Sequence, residues 1–156
     1  MELPRDWQEF LSSLNESKVR YLVIGAHALA AHGAPRYTGD LDVWVDAKPL
    51  NAKRVLSALQ AFGFGSVKGI AVEDFQNPDL VVMLGNPPVR IDLLTSISGC
   101  SFDRAWKRRL KTKLGGQPVS VLSREDLTAN KLAAGRPKDL LDVETLKQLA
   151  KTKKRR

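Results

Sequence analysis

Asp40 and Asp42 stand two residues apart in the run Asp40-Leu41-Asp42-Val43-Trp44-Val45-Asp46. Side chains alternate faces along a strand, so the two carboxylates share one face while Leu41, Val43 and Val45 share the other. One face packs and the other is free for chemistry. Like charges roughly 7 Å apart on one strand face repel and add nothing to folding, so their place beside an apolar stripe suggests a bound cation. Asp92 is a candidate third ligand, because Val89-Arg90-Ile91-Asp92-Leu93-Leu94-Thr95 is a second strand-like run with one isolated carboxylate. Three oxygen ligands on neighbouring strands suit Mg²⁺, which keeps waters and takes phosphate oxygens. The chemistry of such a site is phosphoryl or nucleotidyl transfer. The competing reading makes Asp40 and Asp42 solvated residues at a strand entry and pairs Asp92 with Arg90 or another base.

The elements that must hold these residues follow from periodicity and punctuation. Asp6 to Leu14 reads as a capped amphipathic helix, with Trp7, Phe10, Leu11 and Leu14 on one side. Val19 to Ile24 is a buried strand closed by Gly25, and Ala26 to His32 is a short alanine-rich helix ended by Gly33. A loop, residues 33–39, leads into the strand of Asp40 and Asp42. Asn51 to Phe62 is a second amphipathic helix with Gly63 as its stop. Leu80 to Leu84 and Val89 to Thr95 are joined by Gly85-Asn86-Pro87-Pro88, a length that fits an antiparallel hairpin. Ser101 to Leu110 is predicted helical, with the cations Arg104 to Lys113 on its wet face and Phe102, Ala105 and Trp106 inward. Gly115-Gly116 turns into a strand, Val119 to Leu122. Ser123-Arg124-Glu125-Asp126 resembles a capping box opening a helix to Ala134, stopped by Gly135, and Pro137 starts a last helix to about Lys151. Glu73 and Asp74 fall in a loop-like stretch.

At 156 residues the chain is one domain, read here as residues 1–150 with a basic tail at 151–156. No segment approaches the roughly 18 apolar residues of a membrane span, and Met1 to Phe10 lacks the order of a signal peptide, so the expected location is the cytoplasm without membrane attachment. A single cysteine, Cys100, excludes an intramolecular disulfide and reads as a small, at least half-buried residue. The net charge of +8 favours an anionic partner, with nucleotide and RNA the obvious choices.

The chain resembles the nucleotidyltransferases of the polymerase-β-like superfamily, in particular small bacterial members related to the AbiEii-type toxins of toxin–antitoxin systems. The resemblance rests on Leu22-Val23-Ile24-Gly25-Ala26-His27-Ala28-Leu29, on Arg36-Tyr37-Thr38-Gly39-Asp40-Leu41-Asp42, on Arg90-Ile91-Asp92-Leu93-Leu94, and on Asn130-Lys131 followed by Arg136-Pro137-Lys138-Asp139-Leu140-Leu141-Asp142. Their order and spacing agree from about residue 19 to 146.

That resemblance implies an α/β (α+β) fold: a mixed β-sheet flanked by helices, with a helical C-terminal part. It implies that Asp40, Asp42 and Asp92 are catalytic and hold Mg²⁺ for transfer of a nucleoside monophosphate from an NTP, such as ATP, to an acceptor hydroxyl. Asp92 would lie nearest the attacking oxygen, and Gly25 would let backbone N–H groups approach the triphosphate. Ala26 departs from the family, since many relatives have glycine or serine there; a backbone donor survives, a hydroxyl does not. Arg36 and Thr38 either bind phosphate or organise the loop, and Lys131 either meets the triphosphate or is a surface lysine. His27 either faces phosphate or packs, and His32 reads as a helix-end residue. Arg136 to Asp142 is either catalytic or a salt-bridge network at a helix junction, with Asp139 and Asp142 near a helix start. RNA, with a tRNA 3′ end first, and a protein hydroxyl are the expected acceptors, and an antitoxin is a possible partner. The rival is a nucleotide- or RNA-binding module that keeps the fold without turnover. A Walker-type kinase is disfavoured, since no glycine-rich loop ends in Gly-Lys-Ser/Thr.

Overall fold

The computed structural model describes residues 3–62 and 69–154. Its elements are α1 (Arg5–Glu16), β1 (Tyr21–Ile24), α2 (Gly25–Ala31), β2 (Asp40–Val45), α3 (Pro49–Phe62), a 3-10 turn (Val72–Gln76), β3 (Val81–Leu84), β4 (Arg90–Leu94), α4 (Phe102–Lys107), β5 (Leu110–Leu114), β6 (Gln117–Val121), α5 (Arg124–Ala134) and α6 (Pro137–Lys154). The six strands form one mixed sheet in the order β3-β4-β2-β1-β6-β5. β1 runs parallel to β6 and β2 parallel to β4, and the remaining neighbours are antiparallel. The expected mixed α/β sheet architecture is the one found.

The central strands read as they pack. Leu41, Val43 and Val45 are completely buried, and on the opposite face of β2 Trp44 is buried too, edge-to-face against Phe102 of α4. The apolar side of α1, Trp7, Phe10, Leu11 and Leu14, closes the core, with Phe10 meeting Phe62 of α3. Burying such side chains contributes about 1.5–3 kcal/mol each against the entropy of ordering the chain. The start of β2, with Asp40 and Asp42, lines a cleft beside the sheet.

Some expectations needed correction. α1 begins after Pro4 with no side-chain cap, so Asp6 acts as a first-turn charge rather than as the cap. The helix expected to Leu110 stops at Lys107, and Leu110-Lys111-Thr112-Lys113-Leu114 is β5, hairpinned onto β6 through Gly115 and Gly116. Leu110, Thr112 and Leu114 alternate with Lys111 and Lys113, and the exposed lysines suit an edge strand. The cations 104–113 are therefore split among a helix, the turn after it and a strand. Two of them are engaged internally: Arg108 pairs with Asp126, and the Arg109 guanidinium lies 3.8 Å from the Trp106 ring centre. Glu73 and Asp74 sit on the 3-10 turn, where Asp74 accepts the Ala71 N–H. Gly63 lies outside the described residues. α6 continues to Lys154, through the start of the stretch read as a tail. Among the described residues no helix is long and apolar enough to cross a membrane.

Candidate metal and nucleotide site

Register alone assembles the acidic centre. β2 pairs with β4 so that Asp40 lies beside Arg90 and Asp42 beside Asp92, and β1 sets Ile24 beside Asp42 from the other side. Paired positions share a face, so the carboxylates of Asp40, Asp42 and Asp92 converge, and one oxygen from each lies within 4.8 Å of the others. That spacing fits the donor set of a hard divalent cation, since all three ligands are oxygens on rigid strands.

Arg90 is the counter-ion within this cluster. Its Nη2 lies 3.1 Å from Asp40 Oδ2 and donates to Asp92 Oδ2 at 3.2 Å. Its Nε stands 3.0 Å from Asp92 Oδ1 but is misaligned, so both atoms lack a true hydrogen-bond partner. One cation against three carboxylates leaves the cluster short of positive charge. Burial, then the adjacent Asp92 carboxylate, push Asp42 up to about 7, with Arg90 opposing. A carboxyl that resists ionising among acidic neighbours is what an added divalent cation would reverse. Asp92 therefore pairs with Arg90, as one reading has it, and also lies beside the other two aspartates, where the metal-ligand reading needs it.

The centre forms the floor of a cleft of about 550 Å³. Gly25 and Ala26, at the turn from β1 into α2, border one side; Gly25 takes φ +67°, which glycine alone adopts without strain. Thr38 binds backbone: its hydroxyl donates to the Asp40 carbonyl and accepts the Asp40 N–H, both at 3.2 Å. It thereby sets the entry to β2 while also lining the cleft.

The facing wall comes from α5 and α6. Ser123 caps α5 by accepting the Asp126 N–H, Gly135 ends it in the left-handed conformation, and Pro137 opens α6. Lys131, only 6% exposed, is bonded to Asp142 at 3.0 Å and to Asp139 at 3.5 Å. Arg36 reaches from the loop before β2 to clamp Asp142 at 2.8 and 3.3 Å. Arg136 clamps the fully buried Asp139, with Nε 2.7 Å from Oδ2, and holds its carboxyl below the usual range. Arg36, Lys131, Arg136 and Lys138 all line the cleft. The 136–142 segment is thus a salt-bridge network at the helix junction, and it is also the cationic side of the cavity.

Other residues fall elsewhere. His27 packs edge-to-face on Trp7, and burial pulls its pKa down. His32 bonds the Leu122 carbonyl at 2.8 Å. Asn130 and Lys138, which belong to the motifs of the family resemblance, line the cleft, and so do Ser96 and Ser98, which no spacing rule marks because they are isolated polar residues after a strand.

Residues 4–156 match the family described as "Nucleotidyl transferase of unknown function (DUF2204)". The chain belongs to this family. No curated protein matches it. In a nucleotidyl transferase, an acidic centre facing a cationic wall across one cavity is a pairing that suits a metal-bound phosphate chain.

Proposed function

We propose that the protein is a Mg²⁺-dependent nucleotidyltransferase that moves a nucleoside monophosphate from an NTP to an acceptor hydroxyl. The observation that carries this reading is the register of β2 and β4, which brings Asp40, Asp42 and Asp92 together on one open sheet face. Asp40, Asp42 and Asp92 would hold the metal, which when bound supplies Lewis-acid stabilisation of charge on the phosphate oxygens. Gly25 and Ala26 offer backbone N–H groups to the phosphate chain, and Arg36 and Lys131 meet it as cations already fixed by Asp142. The acceptor oxygen bonds to the α-phosphorus as the bond to the bridging β-phosphate oxygen breaks. Pyrophosphate leaves with that electron pair, and the hydroxyl proton passes to Asp92 or to solvent.

RNA, including a tRNA 3′ end, and a protein hydroxyl are the two acceptor classes, and cytoplasmic action suits both. Membership of the AbiEii-like group, a toxin role and an antitoxin partner rest on the sequence resemblance alone. A second reading, a nucleotide-binding module without turnover, is favoured by one observation: Ala26 places no hydroxyl beside the phosphate position. The test is transfer from α-labelled ATP, CTP, GTP and UTP with Mg²⁺ into total RNA and total cell protein, comparing wild type with Asp42→Ala. Label that vanishes in the variant supports the transferase; equal, background label with all four nucleotides supports the binding module.

A further inference from the structure

The two edges of the sheet are built differently. At one edge, β5 exposes Lys111, Thr112 and Lys113, the usual charged protection against stray strand pairing. At the other edge, β3 is Val81-Val82-Met83-Leu84, with no charge and no proline, and Val81 and Met83 are 54% and 63% exposed. Among the described residues no strand pairs with the outer side of β3.

The unprotected edge adjoins the acidic centre. Register sets Val81 beside Leu94 and Met83 beside Asp92, so both exposed side chains lie on the face that carries the three aspartates, and Val81 itself lines the cleft. The backbone points the same way. Leu80 is bonded to Thr95 through the Thr95 N–H at 3.1 Å, and bonded and non-bonded pairs alternate along an antiparallel ladder. Val82 and Leu84 therefore fall at the bonded positions facing β4, and the N–H and C=O groups of Val81 and Met83 turn outward.

We propose that β3 is the docking strand for an extended segment of a polypeptide acceptor, which adds to the sheet by bonding to Val81 and Met83 and lays its alternate side chains over the cleft face. That the docked segment is an acceptor rests on the transferase reading; the docking itself does not. RNA is disfavoured here because phosphate recognition needs cations. β3 has none, the neighbouring Arg90 is committed to Asp40 and Asp92, and Lys111 and Lys113 lie five strand positions away, about 24 Å. The cleft's cations Arg36, Lys131, Arg136 and Lys138 stand on other segments, where the transferase reading places the NTP phosphates. A second copy of the chain is disfavoured by size, since pairing two four-residue strands falls well short of the ~1,200–2,000 Å² that a stable interface buries.

The test is an amide-shift titration of the full protein with a short peptide of alternating valine and threonine carrying a lysine at each end. Wild type should show shifts centred on the Val81 and Met83 amides. Met83→Pro removes one outward N–H from a position that gives β4 no ladder bond, and should weaken binding roughly fivefold, the worth of one hydrogen bond. Met83→Lys, which leaves the backbone intact, should weaken it as well. The proposal fails if peptide leaves β3 unshifted, if both variants bind as wild type does, if a uridine homopolymer shifts the same amides, or if those amides are already protected in a dimer. Failure of label transfer would remove the transferase reading and leave this titration standing.

Discussion

The Asp42 carboxylate fills the space that a side chain at residue 25 would need: a Cβ added to Gly25 would stand 2.4 Å from Asp42 Oδ2. The turn that ends β1 and the strand that carries the acidic centre are thus in direct contact, and Gly25 serves both by its positive φ and by its lack of a side chain. Gly25→Ala should cost about 1–2 kcal/mol from the left-handed backbone alone and should also displace Asp42. Thermal unfolding should show the first effect. Mn²⁺ titration should show the second as weakened binding beyond what the stability loss explains, and unchanged Mn²⁺ affinity would refute the contact's role.

Asp42 gives the metal-free protein a pH dependence of definite sign. Its folded pKa is raised from 3.8 to about 7, so between those values the folded state holds a proton that the unfolded chain has released. The stabilising contribution of that proton is fully present below 3.8 and is lost as pH rises through about 7. In EDTA, the difference in Tm between Asp42→Asn and wild type should therefore grow in favour of the variant across this window and level off above it. Adding Mg²⁺ above pH 7 should raise the Tm of wild type more than that of the variant. A difference that stays constant with pH would show that Asp42 titrates normally.

The parts of this site set by strand alternation were legible in the sequence, and the parts set by helix packing were not. Asp40, Asp42 and Asp92 could be read because period two places each opposite an apolar stripe, although only the structure shows β2 and β4 to be neighbours in parallel register. Lys131 and the 136–142 segment left two readings open, since a lysine on a helix looks the same whether it faces water or a buried aspartate. The misread stretch 101–114 failed for a local reason. Cations dominate both α4 and β5, and the alternation of Leu110 to Leu114 is masked by the charge run that precedes it.

Lys131 is a buried cation whose removal should separate stability from phosphate binding. Lys131→Met leaves Asp142 with Arg36 and Asp139 with Arg136, so neither carboxylate is stranded. The loss should be about 2 kcal/mol, below the ~3–5 kcal/mol of orphaning a buried charge. Denaturant melts should show it. Binding of a Mg²⁺–NTP complex, measured where both proteins are folded, should weaken by about tenfold or more, as expected for one lost charge-assisted contact of about 1.5–3 kcal/mol. Nucleotide affinity equal to wild type would assign Lys131 to the helix junction alone.

Cys100 should be an unreactive thiol despite its partial exposure. Its Sγ donates to the Asp126 carbonyl at 3.3 Å, and burial followed by the Asp126 carboxylate push the thiol up to about 11, with the Arg108 charge opposing. At pH 8 the thiolate fraction, and with it the alkylation rate, should be on the order of a hundredfold below that of an ordinary cysteine. Iodoacetamide kinetics on native and unfolded protein check this, and denaturant should restore a normal rate. Arg108→Ala removes the opposing charge and should slow the native reaction further, whereas a native rate that matches the unfolded one would place the thiol in solvent, away from Asp126.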